Sequence, residues 1–161
     1  MKVIAGTGHR PKHFNAQEWN AMCAAADKAI KDTAPNLVVS GMALGWDQAL
    51  ARAAINHGIP FIAALPFAGQ ASRWPVKSHN YWQSLIAKAH EVVIVSEGGY
   101  SVSKMTKRDR WMVDEADEVV ALYNESRPNS GTGRCVSYAT KHNKKAINYY
   151  DFFVEHSGLS L

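Results

Sequence analysis

The chain reads as an α/β protein in which a doubly wound, mainly parallel sheet carries helices on both faces, and three observations predict this. Short apolar runs alternate with longer helix-like segments along the 161 residues, the pattern of repeated strand–helix–strand units. Val92-Val93-Ile94-Val95 and Val119-Val120-Ala121-Leu122 are apolar throughout, as strands buried on both faces are. Glycine-bearing polar loops follow several of the runs, as in open α/β sheets that bind ligands beyond the carboxyl ends of their strands.

Taken in order, Lys2–Ala5 is too short for a helix and delivers the chain to Gly6-Thr7-Gly8-His9-Arg10-Pro11, read as a glycine-bearing turn. Ala16–Thr33 places Trp19, Met22, Cys23, Ala26 and Ile30 at helical spacing, with Asn15 and Glu18 as a capping box. A strand over Leu37–Ser40 leads to a helix over Trp46–Asn56, which Gly58 stops. Strands are further expected at Pro60–Ala64, Val92–Val95, Val119–Leu122 and Ala146–Tyr149. Helices are expected at Ser78–Ala89, Ser103–Ala116 and Thr132–His142. No linker or low-complexity stretch divides the chain, so residues 1–161 are read as one domain.

Composition bounds the function. Hydrophobic residues make up 47% and charged residues 20%, an ordinary globular balance. No apolar run approaches the ~20 residues of a membrane span, and the opening apolar stretch is too short for a signal peptide; the expectation is a cytoplasmic protein. Two distant cysteines, Cys23 and Cys135, support neither a disulfide framework nor a cysteine zinc site. The seven histidines show no metal-ligand spacing. Neither a Gly-x-Ser-x-Gly elbow nor a Walker loop occurs. No metal and no cofactor is therefore expected. The net charge of +4 is mild and dispersed, so it does not demand a nucleic acid.

The candidate site lies in the loops after the strands. Gly6, Thr7, Gly8, His9 and Arg10 follow the first; Ser40, Gly41, Gly45 and Asp47 follow or lie near the second; Gln70 and Trp74 lie beyond the third. Tyr123 and Asn124 follow the fifth, then Ser130, Gly131, Thr132 and Gly133 open a helix. Glycines admit a close ligand, and a helix N-terminus favours an anion, which makes Ser130–Gly133 the leading phosphate candidate. Asp47 either caps its helix or accepts from ribose hydroxyls. Trp74 either stacks a base or covers the core, and the glycines at 41 and 45 either touch ligand or only permit tight turns. The helical spacing of Trp19 and Trp111 reads as core packing.

These segments together resemble the YspA/YpsA-like branch of the SLOG superfamily. The likeness runs from Gly6–Pro11 and Ser40–Asp47 through Pro66-Phe67, Gln70 and Trp74. It continues through Arg108–Asp114, Ala116-Asp117, Ala121-Leu122-Tyr123 and Gly131-Thr132 to Tyr138-Ala139, covering nearly the whole chain. The resemblance implies a Rossmann-like domain binding nucleotides or nucleotide-derived small molecules. Distant relatives include DNA-processing protein A and the lonely-guy-type phosphoribohydrolases. Against the latter, Arg108 and Met112 fall on an Arg-Lys-x-x-Met segment and Gly131-Thr132 on the end of Gly-Gly-x-Gly-Thr-x-x-Glu. The glutamate's position is Cys135. Hydrolysis of a nucleoside 5′-monophosphate at its N-glycosidic bond then needs another carboxylate: Asp47 first, Glu97 second, with Arg108 holding phosphate or leaving-group charge. Tyr123 or Trp74 would stack the base. The alternative is a non-catalytic module that senses or sequesters a nucleotide derivative; a third reading is single-stranded DNA binding. Homo-oligomerisation is compatible with shareable apolar helix faces.

Overall fold

A computed structural model of the chain describes residues 1–10 and 13–158; Pro11, which ends the opening motif, lies outside them. Its elements alternate without exception: β1 (Val3–Gly8), α1 (Ala16–Thr33), β2 (Leu37–Ser40), α2 (Trp46–Asn56), β3 (Phe61–Leu65), α3 (Val76–Ile86), β4 (Glu91–Ile94), α4 (Val102–Glu115), β5 (Glu118–Leu122), α5 (Gly131–Lys141), β6 (Lys145–Asn148) and α6 (Tyr150–Ser157). The six strands form one sheet in the order β4-β3-β2-β1-β5-β6, and every pair is parallel. It is a Rossmann-like α/β arrangement, fully rather than mainly parallel.

The order explains the layers. The chain steps outward from β1 to β4, then α4 carries it back across the sheet to β5. Because parallel crossovers are right-handed, α4 and α5 lie on the face opposite α1, α2 and α3. The core divides accordingly. Ile4, Val38, Phe61 and Leu65 pack against α1, α2 and α6. Val3, Ala5, Val39 and Ala64 pack against Met112 of α4 and Ala116 just past its end, while Val119 meets Cys135 and Ala139 of α5. The direction of winding reverses between β1 and β5, and a crevice opens at such a point.

Local signals set several ends. Asn15 caps α1, accepting from the Glu18 N–H at 2.8 Å, while the Glu18 carboxylate accepts from the Asn15 N–H at 3.3 Å. This is the capping box the sequence predicts. His57 ends α2 and Gly58 follows in the left-handed region at φ 68°.

Three expectations are corrected. The segment expected to turn at Gly6 remains strand through Gly8, because Gly6, Thr7 and Gly8 pair in register with Val120, Ala121 and Leu122 of β5. Here the glycines serve packing: a Cβ on Gly8 would stand 2.6 Å from the Trp46 Cβ, and one on Gly6 2.6 Å from a Leu50 methyl. The β4 strand is apolar yet lies at the sheet edge with Val92 and Ile94 about half exposed; composition cannot tell an edge strand from a central one. The helix α6 was not expected, since its eight residues carry too short a pattern; it buries Phe153 and Val154 against the α1 side of the core.

Candidate functional site

At the reversal between β1 and β5 lies a cleft of about 220 Å³ whose walls come from four chain segments. The end of β1 supplies Gly6, Thr7, Gly8, His9 and Arg10. The start of α2 supplies Asp47, and α4 supplies Arg108 and Asp109. The loop after β5 and the start of α5 supply Arg127, Ser130, Gly131 and Thr132. Residues up to 126 positions apart thus meet at one sheet edge (from Gly6 to Thr132).

The α5 start is held open by its own loop. The Ser130 hydroxyl accepts from the Gly133 N–H at 3.0 Å and donates to the Arg127 carbonyl at 2.7 Å. The hydroxyl is therefore used in holding the loop, while Gly131 and Thr132, whose first-turn N–H groups have no partner inside a helix, line the cleft. Gly133 lies outside the lining; its missing side chain admits the Pro128 carbonyl against the helix.

Asp47 sits beneath the cleft, 7% exposed. Its Oδ2 accepts from the Ala43 N–H at 3.2 Å. It does not cap α2: the N-cap is Gly45, at φ 93°, with no side-chain bond. Burial pushes its carboxyl up from 3.8 to about 6, with the nearby Arg108 guanidinium holding the rise in check. Arg108 is 2% exposed. Its Nη1 donates to the carbonyls of Gly41 at 2.6 Å and Ala64 at 3.1 Å, and its Nε pairs with Asp109 at 2.8 Å. The guanidinium thus ties the carboxyl ends of β2 and β3 together while lending positive potential to the cleft floor. A Cβ on Gly41 would stand 2.8 Å from this guanidinium and 2.9 Å from the Asp47 carboxylate, which accounts for glycine there.

His9 links the two strands at the reversal. Its Nε2 accepts from the Asn124 N–H at 2.7 Å, which leaves the ring proton on Nδ1. Burial and then the Arg127 charge lower its pKa below 6.5, so the ring is neutral at pH 7 and serves as a fixed polar wall. Its ring lies 5.8 Å from Tyr123 and 6.5 Å from Tyr150.

Several residues singled out from the sequence lie elsewhere. Ser40 is fully buried, donating to the Asp47 carbonyl and accepting from the Met42 N–H. Gln70 donates to the Gly41 carbonyl at 2.8 Å and accepts from the Trp82 indole at 3.0 Å; both groups brace loops. Gly45 and Gly41 shape the start of α2 rather than the lining. Trp74, beyond β3, is absent from the walls of the cleft. Glu97 is exposed and follows the edge strand β4, three strand spacings or roughly 14 Å from β1. The structure gives it no place in the cleft. Tyr123 is held through its backbone by Asn148 and flanks His9.

Residues 6–157 match the YspA SLOG family. The chain belongs to that family. YoqJ of Bacillus subtilis (strain 168), an uncharacterized SPbeta prophage-derived protein, is 32% identical over 120 residues, covering 64% of this chain and 68% of YoqJ. DNA processing protein A from Streptococcus pneumoniae superposes with a TM-score of 0.68 at 18% identity, over 98% of this chain and 54% of that one. The chain thus spans about half its length. The molybdenum cofactor binding protein of Rippkaea orientalis gives 0.57 at 14% identity, over 98% and 85%. At such identities these two show a shared SLOG-type fold.

Cys135, which the resemblance sets at the position of a phosphoribohydrolase-type glutamate, lies on α5 and is buried. Its thiol is buried on the side of α5 that packs against Val119 and pushed up to about 12 by burial first and the Asp109 charge second, so it stays protonated and cannot replace a carboxylate base. Arg134 folds back onto the Asn129 carbonyl at 2.7 Å and stays off the cleft lining. Arg127 and Asp109 are the lining residues not expected from the sequence; the available signals were a lone arginine between the end of β5 and the Ser130 helix start, and a carboxylate directly after Arg108. Among the described residues no group of three or more His, Cys, Asp or Glu could hold a metal ion, and no helix is long and apolar enough to cross a membrane.

Proposed function

We propose that this SLOG domain binds a nucleotide or nucleotide-derived small molecule, with its phosphate at the start of α5 between Arg10 and Arg127. The observation that carries this is the convergence of the Gly131 and Thr132 N–H groups, two exposed arginines and the Arg108 potential on one cleft at the β1–β5 reversal. A helix N-terminus and guanidinium groups are complementary to a phosphate dianion. Asp47 and Asp109 at the inner end favour hydroxyl donors, which supports a sugar as the part of the ligand bound there. The test is thermal denaturation with nucleoside monophosphates, NAD, ADP-ribose and single-stranded DNA. A ligand that binds only the folded state raises Tm by mass action. Stabilisation by a small phosphate ester is expected; no shift with any of them at millimolar concentration would remove the proposal, and a DNA-only response would replace it with the nucleic-acid reading.

A second reading, hydrolysis of the N-glycosidic bond, is favoured by one observation: the Asp47 carboxyl titrates near neutrality inside the cleft. As carboxylate it would take a proton from water while the water oxygen bonds to C1′ and the C1′–nitrogen bond breaks, its electron pair leaving with the base, which then takes up the proton from Asp47. The products would be free base and ribose 5-phosphate. Chromatography of monophosphates incubated with the protein tests this; base release no higher than with Asp47→Asn leaves a binding module that senses or sequesters its ligand.

A further inference from the structure

A second compartment of about 180 Å³ adjoins the cleft and shares His9, Arg10 and Arg127 with it. Its other walls differ in kind. Met22, Leu122 and Phe153 form a buried apolar floor, with Tyr150 half-buried beside them. One carboxylate, Glu18, stands in the lining.

We infer that this compartment is the subsite for the planar base of the ligand whose phosphate occupies the cleft. The inference rests on the proposed function and goes on to name the substrate class. Three arguments support it. The cleft alone is smaller than the ~300 Å³ at which small-molecule pockets begin, so it accommodates a sugar phosphate but not a whole nucleotide; with the adjoining compartment the space suffices. Flat surfaces meet at the junction, since the shared His9 ring and the Tyr150 ring of the second compartment stand edge to face at 86° and the guanidinium groups of Arg10 and Arg127 line both spaces. Aromatic and guanidinium faces take up bases without regard to sequence. Beside the apolar floor the lining also holds the Asn124 amide, which can donate or accept, whereas the Glu18 carboxylate is acceptor-only and so favours a base bearing an exocyclic amine over one presenting a carbonyl there. Amino-bearing bases such as adenine are therefore the preferred occupants. Trp74, the stacking residue expected from the sequence, has no part in it.

The test is calorimetric titration of the full chain with AMP, IMP and ribose 5-phosphate. AMP should bind about tenfold or more tightly than ribose 5-phosphate, the size of a base-stacking contribution. Tyr150→Ala should remove most of that advantage and leave ribose 5-phosphate unchanged. Glu18→Gln, which can still complete the capping box, should erase the preference for AMP over IMP. Circular dichroism checks that both variants fold. Equal affinity of AMP and ribose 5-phosphate, or an AMP advantage untouched in Tyr150→Ala, overturns the base subsite while the phosphate cleft stands. No binding of any of the three overturns the base subsite, and the phosphate cleft falls with it if NAD and ADP-ribose also leave Tm unmoved.

Discussion

Replacing Asp47 by asparagine isolates the energetic cost of the cleft. Burial places the carboxyl at about 6 rather than 3.8. The group's folded pKa is raised, so its contribution to stability is fully present below 3.8 and is lost as pH rises through about 6. At roughly 1.4 kcal/mol per pH unit, holding the carboxylate ionised at pH 8 costs about 3 kcal/mol. The figure already contains the attraction of Arg108. In the Asp47→Asn variant the amide oxygen can accept the Ala43 N–H in place of Oδ2, and the cost of the buried charge disappears. The figure is an upper one, because the amide's own N–H groups would face the Arg108 guanidinium.

Asp47→Asn should therefore stabilise the chain at pH 8 and change little at pH 4. For a chain of this size each kcal/mol moves Tm by about 2–4 °C, so the gap should reach about 6–12 °C at pH 8. Scanning calorimetry of both proteins across pH 4–8 measures it. Comparing variant with parent at each pH cancels His9, whose lowered pKa acts in the opposite direction, removing stability as pH falls below 6.5. A gap independent of pH, or a variant less stable than its parent at pH 8, would refute the reasoning. Stabilisation at the expense of binding is what a ligand-directed buried charge produces.

Three further outcomes follow from the same geometry. Arg127→Ala should weaken binding of a phosphate ester and flatten its salt dependence while leaving Tm within about 2 °C, because the side chain is exposed at the mouth; titration at two salt concentrations reads both. Gly8→Ala should cost about 1–3 kcal/mol in urea denaturation, since its Cβ would stand 2.6–2.8 Å from three atoms of Trp46. Cys135, held protonated by a pKa near 12, should resist iodoacetamide at pH 8 in the native protein and react at once in denaturant, as read by mass spectrometry.

The layered fold was legible because it follows from periodicity and a handedness rule, both of which are written along the chain. The site was legible only in outline, for a physical reason. Glycine, serine and short polar residues after a strand serve equally to approach a ligand or to admit a neighbouring side chain, and a single sequence does not reveal which. Gly8 yields to Trp46 and Gly41 to Arg108; Ser40 and Gln70 spend their polar groups on Met42, Asp47, Gly41 and Trp82. All four lie at the expected sheet edge, yet only Gly8 lines the cleft. Arg127 carries the opposite lesson, since it stands just outside the glycine-bearing Ser130–Gly133 stretch and owes its place to the return of the loop from β5 to α5. Motif composition thus locates the edge of the sheet at which a ligand can bind, while the charges that would hold it are selected by the strand order. Only the adjacency of β1 and β5, residues 3–8 beside 118–122, brings Arg10 and Arg127 to a common mouth, and it is that adjacency which makes an anion the expected guest.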